Sequence, residues 1–286
     1  MAVRALVFDV FGTLVDWRAG IAAAFDASGL DGDAGELADD WRKRYVPILT
    51  EVNDQRRPWG NFDELHFVTL DDLLRERGLE ASYETRRRLV AAWHALDPWP
   101  DVKDGLEQLR SDHVVATLSN GHVAMLVELA RHGDLRFDCV LSAELARAYK
   151  PDAAVYLMGA TLLTLDPAEV MLVAAHPWDL KGARDAGLRS ALVRRPLEYG
   201  PNSPRREDAD ADHVVDDLPE LAALGVAQAG IGELDSRLHD FAAPLPGARV
   251  DRFDGPVWHA RSVPRCRIWC DNGMARFRFP AAWRRG

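Results

Sequence analysis

The chain has 286 residues, 48% hydrophobic and 28% charged, which is too apolar for disorder and long enough for one large or two modest cores. Its 35 basic and 45 acidic residues leave a net charge of −10, an argument against nucleic acid and anionic membrane surfaces as partners. Three cysteines are too few for a disulfide framework, no apolar run reaches the roughly 20 residues of a membrane span, and the first ten residues lack a signal-peptide pattern, so a cytoplasmic enzyme is expected.

Residues 2–9 are short, apolar and β-branched and end in Asp9, the pattern of a buried parallel strand. Phe11, Gly12 and Thr13 follow as a tight turn. From 16 to 97 the pattern is helical, with apolar faces over 37–49 (Leu37, Trp41, Tyr45, Ile48), 62–79 and 83–96 (Leu89, Val90, Trp93), and no strand is evident. After the Asp97-Pro98-Trp99-Pro100 punctuation, strand and helix patterns alternate. Strands are expected over 114–118, 139–142, 170–174, 190–193 and 213–215, and helices over 121–131, 152–163 and 179–186. Such alternation predicts an α/β fold with a doubly wound, Rossmann-like parallel sheet, whose ligands bind at the carboxyl ends of the strands. Asp9, Ser119, Lys150 and Asp179 all fall there. The expected organisation is a catalytic core from 1–15 and 98–225, a helical cap from 16–97 inserted after the first strand, and a C-terminal extension over 226–286. That extension holds ten Arg, no Lys and six acidic residues, a local charge of +4 against −14 for the rest. It is expected to be poorly ordered and has no assigned role. Cys266, Cys270 and His259 within it have the wrong spacing for common zinc sites.

Asp9 read alone is an ordinary turn or helix-cap residue. Its position after a buried strand demands a partner for the carboxylate, and Lys150 is the candidate. The succession Asp9-Val10-Phe11-Gly12-Thr13, then Ser119-Asn120-Gly121, then Lys150-Pro151-Asp152, then a strand ending before Asp179, resembles the haloacid dehalogenase superfamily from residue 1 to about residue 220. The resemblance implies that Asp9 is a nucleophile forming a covalent intermediate. Phosphatase members carry an acid two residues after the nucleophile and an acid pair on the fourth motif, one of which binds magnesium. Here those positions hold Phe11 and Ala175, with Asp179 retained, which suits attack on carbon better than metal-assisted phosphoryl transfer.

The finer resemblance is to the L-2-haloacid dehalogenase (type II) branch, through Asp9-x-Phe11-Gly12-Thr13, Trp41-Arg42, Leu118-Ser119-Asn120-Gly121, Ala148-Tyr149-Lys150-Pro151-Asp152 with Val155-Tyr156, and Trp178-Asp179. It implies hydrolysis of short (S)-2-haloalkanoic acids or haloacetates to 2-hydroxy acids, through an Asp9 ester, with no metal and no cofactor. The implied catalytic set is Asp9, Lys150, Asp179, Arg42, Thr13 and Ser119. Arg42, which would otherwise be a solvated helix arginine, binds halide or carboxylate. Lys150 keeps Asp9 ionised, Asp179 orients or deprotonates water, and Thr13 and Ser119 supply hydroxyls. The implied substrate-binding set is Phe11 and Trp178 as walls of a dry pocket, Asn120 through a backbone N–H at a helix N-terminus, Tyr156, and His176. The branch often has Ser-x-Asn-x-Trp-Asp in the fourth motif, where this chain has Ala174 and His176; His176 is expected to donate to the halide or assist the water. Trp59 and His66 in the cap have no fixed role, although a Trp on the pocket face would favour small substrates. The partner is a small anionic 2-haloacid, and a homodimer is expected by analogy. The alternatives are a related hydrolase on another small carbon electrophile, a superfamily phosphatase, or a non-catalytic binding protein. Joint retention of Asp9, Arg42, Lys150 and Asp179 opposes the last.

Overall fold

The structure is a computed structural model that describes residues 2–201 and 209–225. The expectations for 226–286, including those for Cys266, Cys270 and His259, lie outside the described residues. Six strands, β1 (Ala5–Phe8), β2 (Val114–Ser119), β3 (Cys139–Ser142), β4 (Val170–Ala174), β5 (Arg189–Val193) and β6 (His213–Val215), form one parallel sheet. Their order is β3-β2-β1-β4-β5-β6. Every residue of β1 and β4 is buried, as expected of a sheet covered on both faces. The chain builds outward from β1 through β2 and β3, then returns to the other side of β1 for β4, β5 and β6. The strand order therefore reverses beside β1, and in open α/β sheets that reversal creates the ligand crevice. The expected doubly wound α/β architecture is the observed one.

Between β1 and β2 lie α1 (Trp17–Ser28), α2 (Ala34–Lys43), α3 (Tyr45–Asn53), α4 (Phe62–Arg77), α5 (Tyr83–Ala92) and α6 (Val102–Leu109). Later come α7 (Val123–His132), α8 (Ala153–Leu162), α9 (Pro177–Asp185) and α10 (Leu218–Ala223). The single helix expected over 37–49 is two, α2 and α3, meeting at Arg44. Pro47 explains the break, because it has no N–H to bond the carbonyl of Lys43 and is tolerated only in the first turn of a new helix. The helix expected over 62–79 ends at Arg77, with Gly78 left-handed at φ 64° and an Asn61–Glu64 capping box at its start. Asp179 also needs a correction. It lies not at a strand end but in the first turn of α9, which Pro177 starts two residues earlier than the sequence pattern indicated.

The tryptophan-rich composition becomes a shared core beneath the helices. Trp93 packs against Trp17, Trp41 and Phe11 with ring centroids 6.2, 5.6 and 5.8 Å apart, and Phe11 stacks on Phe62 at 5.4 Å. Phe11 belongs to the turn after β1, so one aromatic cluster ties the helical insertion to the strand that carries Asp9. Asn53 adds a polar tie, donating to the Tyr149 carbonyl at 2.7 Å and accepting from its N–H at 2.8 Å.

Candidate active site

The first four motifs converge on one buried carboxylate. Asp9 follows β1 and is 6% exposed. Its Oδ2 accepts from the Thr13 hydroxyl at 2.8 Å and from His176 Nδ1 at 3.0 Å, while its Oδ1 accepts from Lys150 Nζ at 3.0 Å. The Thr13 oxygen is itself fixed by the Ala175 N–H at 2.9 Å, so its proton is directed at Asp9. Burial would raise the Asp9 carboxyl, but the Lys150 ammonium, the His176 ring and the Thr13 hydroxyl hold it well below the ordinary carboxylate range. The group is thus an ionised carboxylate that little water reaches.

Lys150 bridges two acids, with Asp179 Oδ2 at 2.5 Å on its far side. Asp179 Oδ1 accepts from Tyr156 Oη at 2.6 Å. Burial pushes the Asp179 carboxyl up, and the neighbouring Asp9 charge adds to that, with Lys150 opposing. Two buried acids beside one ammonium therefore diverge, one fixed as an anion and the other nearer the point of accepting a proton. The Lys150 N–H donates to Asn120 Oδ1 at 2.8 Å, and Asn120 Nδ2 reaches Tyr45 Oη at 2.8 Å, which couples α3 to the ion pair. Asn120 thus contributes through its side chain, where the sequence pointed to its backbone. Burial pushes the Tyr45 hydroxyl up to about 12, so it remains protonated.

A cavity of about 630 Å³ opens above His176, lined by Arg42, Lys43, Tyr45, Trp178 and Tyr199 among others. Arg42 lies 4.2 Å from the Tyr45 ring centroid and 5.2 Å from that of Trp17, and its Nη1 is buried with no hydrogen-bond partner. A desolvated guanidinium N–H without a partner is a donor left open to an anion, and Arg42 is one of the residues that line the cavity. Trp178 stacks on His176 at 5.9 Å and is part of the cavity wall. Phe11 does not line it; its ring is turned into the aromatic cluster. Ser119 is buried, and its oxygen meets the Gly121 N–H at 3.4 Å rather than Asp9. Trp59 stacks on Tyr149 at 4.7 Å away from the cavity. His66 is a core histidine between Phe62 and Trp93, and burial pushes its ring well below the usual value.

Sequence reasoning missed Glu198. It follows β5, is 2% exposed, and its Oε1 accepts from His176 Nε2 at 2.9 Å and from Trp17 Nε1 at 3.1 Å. Burial would raise its carboxyl, but the His176 ring lowers it. Gly12, with φ +89°, lies against this carboxylate where any Cβ would collide with it, so the turn after β1 is built around Glu198. The available signal was an acid just beyond the carboxyl end of a core strand. A second cluster was also missed. Asp63, His94 and His122 bring one ligand atom each within 4.8 Å of one another at the junction of α4, α5 and α7. Among the described residues this is the group with a composition able to hold a metal ion.

The nucleophile's surroundings differ in this respect. A divalent ion shared by Asp9 and the α9 loop would need an acid where Ala175 stands, and the Lys150 ammonium already sits between the two carboxylates. The residues present do not fit such an ion.

The family model for haloacid dehalogenase-like hydrolases matches residues 3–187. The chain is 33% identical over 226 residues to (S)-2-haloacid dehalogenase 4A of Burkholderia cepacia, covering 78% of this chain and 95% of that protein. It is 32% identical over 225 residues to (S)-2-haloacid dehalogenase 1 of Pseudomonas sp. (strain CBS-3), covering 77% and 96%. Among solved structures, it resembles a crystal structure of an L-2-haloacid dehalogenase with a TM-score of 0.74 at 42% identity, covering 78% of this chain and 98% of that one. It also resembles a defluorinating L-2-haloacid dehalogenase with a TM-score of 0.76 at 38% identity, covering 79% and 96%.

Proposed function

This chain belongs to the haloacid dehalogenase-like hydrolase family, and from that premise we propose that it hydrolyses short (S)-2-haloalkanoic acids or haloacetates to 2-hydroxy acids. The observation that carries the reading is the ionised, dry Asp9, paired with Lys150 and bonded to His176, whose ring lines a cavity that Arg42 also lines. A carboxylate stripped of water attacks carbon readily because little solvent must be displaced.

In the proposed reaction an Asp9 oxygen attacks C2 of the substrate from the face opposite the halogen. A carbon–oxygen bond forms, the carbon–halogen bond breaks, and the halide leaves with the bonding pair. Arg42 clamps the halide or the carboxylate in the helical cap. Water then adds to the ester carbonyl carbon, with Asp179 accepting its proton, since a buried carboxyl with a raised affinity for protons is suited to general-base work. Cleavage of the acyl–oxygen bond returns Asp9 and releases the 2-hydroxy acid with inverted configuration. No step calls for a metal ion, because Lys150 supplies the positive charge between the two acids. Among the described residues no helix is long and apolar enough to cross a membrane. A cytoplasmic homodimer completes the reading by analogy, and light scattering tests its size.

The experiment is halide release from L-2-chloropropionate, chloroacetate and fluoroacetate in the presence of EDTA. Chloride is expected from at least one chlorinated acid, and Asp9→Asn should lose roughly 10⁴-fold or more. No halide from any substrate would sink the proposal, as would an Asp9→Asn variant as active as the wild type.

A further inference from the structure

The dehalogenase reading leaves Glu198 without a role, although it is one of the most buried acids among the described residues. Both ring nitrogens of His176 face a carboxylate oxygen, Nδ1 toward Asp9 at 3.0 Å and Nε2 toward Glu198 at 2.9 Å. A neutral imidazole carries one N–H and cannot donate to both. With both acids ionised the ring must be an imidazolium, and burial, which opposes charge, is outweighed by Glu198 and Asp9, which push it up to about 10.

The two Asp9 oxygens are unequal. Oδ2 takes two donors, Thr13 and His176, whereas Oδ1 takes Lys150 alone. The oxygen with fewer donors is the better nucleophile, so Oδ1 bonds to carbon and Oδ2 remains the carbonyl oxygen of the ester. When water adds to the Asp9 carboxyl carbon, the carbonyl electron pair moves onto Oδ2. As that pair returns, the carbon–Oδ1 bond breaks, and Oδ1 leaves with the product and takes up the second proton of the added water. The oxygen of water stays on Asp9, and the proton given to Asp179 is released to solvent. The charge thus develops at an oxygen already held by one hydroxyl and one cationic N–H.

We propose that Glu198 is the positioning residue of an oxyanion site, holding His176 as an imidazolium whose Nδ1–H and the Thr13 hydroxyl stabilise Oδ2 during hydrolysis of the Asp9 ester. This rests on the dehalogenase reading. The Glu198 charge matters most in the ester itself. There Asp9 is neutral, and Glu198 is the carboxylate still touching the ring. The other charged groups around it act at one remove: Lys150 and Asp179 beyond Asp9, and Arg42 on α2 beside Glu198. Trp178 covers the ring face without charge. Removing one oxyanion donor typically costs on the order of 10²–10³-fold in rate.

The test is a single turnover of L-2-chloropropionate by wild type, Glu198→Gln and Glu198→Asp, following chloride release and the intact protein mass. Glu198→Gln should release one chloride per chain at a near-normal rate and then accumulate the ester, with hydrolysis slowed roughly 10²-fold. Its hydrolysis should slow further between pH 6 and pH 9 as His176 loses its proton, while wild type stays level over that range. Glu198→Asp should restore the level profile. A Glu198→Gln variant with a wild-type ester lifetime would overturn the inference, as would one in which chloride release slows as much as hydrolysis. No chloride from wild type would defeat the dehalogenase reading itself, and this inference with it. A measurement on the unaltered enzyme stands beside the variants. Its ¹⁵N spectrum, with the His176 signals assigned by their loss in His176→Asn, should show both ring nitrogens protonated at pH 8. One bare nitrogen there would also overturn the inference.

Discussion

Two histidines in this molecule make the same set of bonds in different surroundings. His176 bridges Asp9 and Glu198, with side-chain exposures of 4%, 9% and 2% for the three groups. His94 bridges Glu128, through Nδ1 at 2.6 Å, and Asp63, through Nε2 at 2.9 Å, with exposures of 16%, 62% and 35%. Burial resists protonation of both rings, and in both the flanking carboxylates prevail and raise the pKa. The consequences differ because water screens one bridge and not the other. At His176 the charge is enclosed and aimed at the nucleophile. At His94 it ties α4 to α7 at the edge of the helical insertion, with the His122 ring 5.5 Å away. The same motif is machinery where it is dry and a fastening where it is wet.

Removing a buried charge outright should separate the dry bridge from the wet one by the largest margin. Lys150→Met leaves Asp9 and Asp179 facing each other without the ammonium that contacts both. The loss should be about 3–5 kcal/mol, because an uncompensated buried charge costs far more than the pair contributed. Urea unfolding at pH 7 should show the midpoint falling with an unchanged slope, and halide release should fall with it. If stability falls by less than about 1 kcal/mol, the site is wetter than its burial indicates.

A smaller effect separates the histidines by pH. A group whose pKa rises on folding stabilises the folded state most fully below its unfolded value, and that contribution is lost as pH climbs through the folded value. For His176 the loss runs from about 6.5 to about 10. Asp9 has the opposite sign, with its contribution lost as pH falls below the ordinary carboxylate value near 3.8. Stability should therefore decline on the alkaline side with His176 as a main contributor. His176→Asn should be roughly 2–3 kcal/mol less stable than wild type at pH 6, with the gap closing toward pH 10. A gap independent of pH would mean that the ring is neutral.

The sheet was legible because a parallel strand is a short β-branched run and its helices follow at regular spacing; β3 and β4 fall where the sequence placed them. The residues of the Asp9, Lys150, Asp179 and Tyr156 contacts were legible through their types and their order along the chain. The break at Arg44 was harder to see, because one apolar stripe runs through both α2 and α3 and Pro47 alone marks the joint. Glu198 was hidden for a different reason. Nothing local distinguishes an acid in Arg194-Arg195-Pro196-Leu197-Glu198 from a solvated one, and its meaning comes from packing 186 residues away against Gly12. The exposed bridge was hidden likewise, since Asp63, His94 and Glu128 belong to three separate segments.

The smallest effect tests the fastening. His94→Ala removes hydrogen bonds to Asp63 and Glu128, but both acids have solvent to fall back on. The cost should be about 1 kcal/mol or less, a fall in Tm of about 2–4 °C for a domain of this size. The part of it that is electrostatic should shrink in 1 M salt, where charges more than about 3 Å apart are screened. Halide release should stay within about twofold of wild type, because none of the three bridging groups touches Asp9. A loss as large as that from Lys150→Met would contradict the comparison. It would mean that a half-exposed histidine between two acids is held as rigidly as a buried one, and that exposure is the wrong variable to separate them. A loss confined to low salt, with activity intact, would establish solvent as what distinguishes two identical sets of bonds.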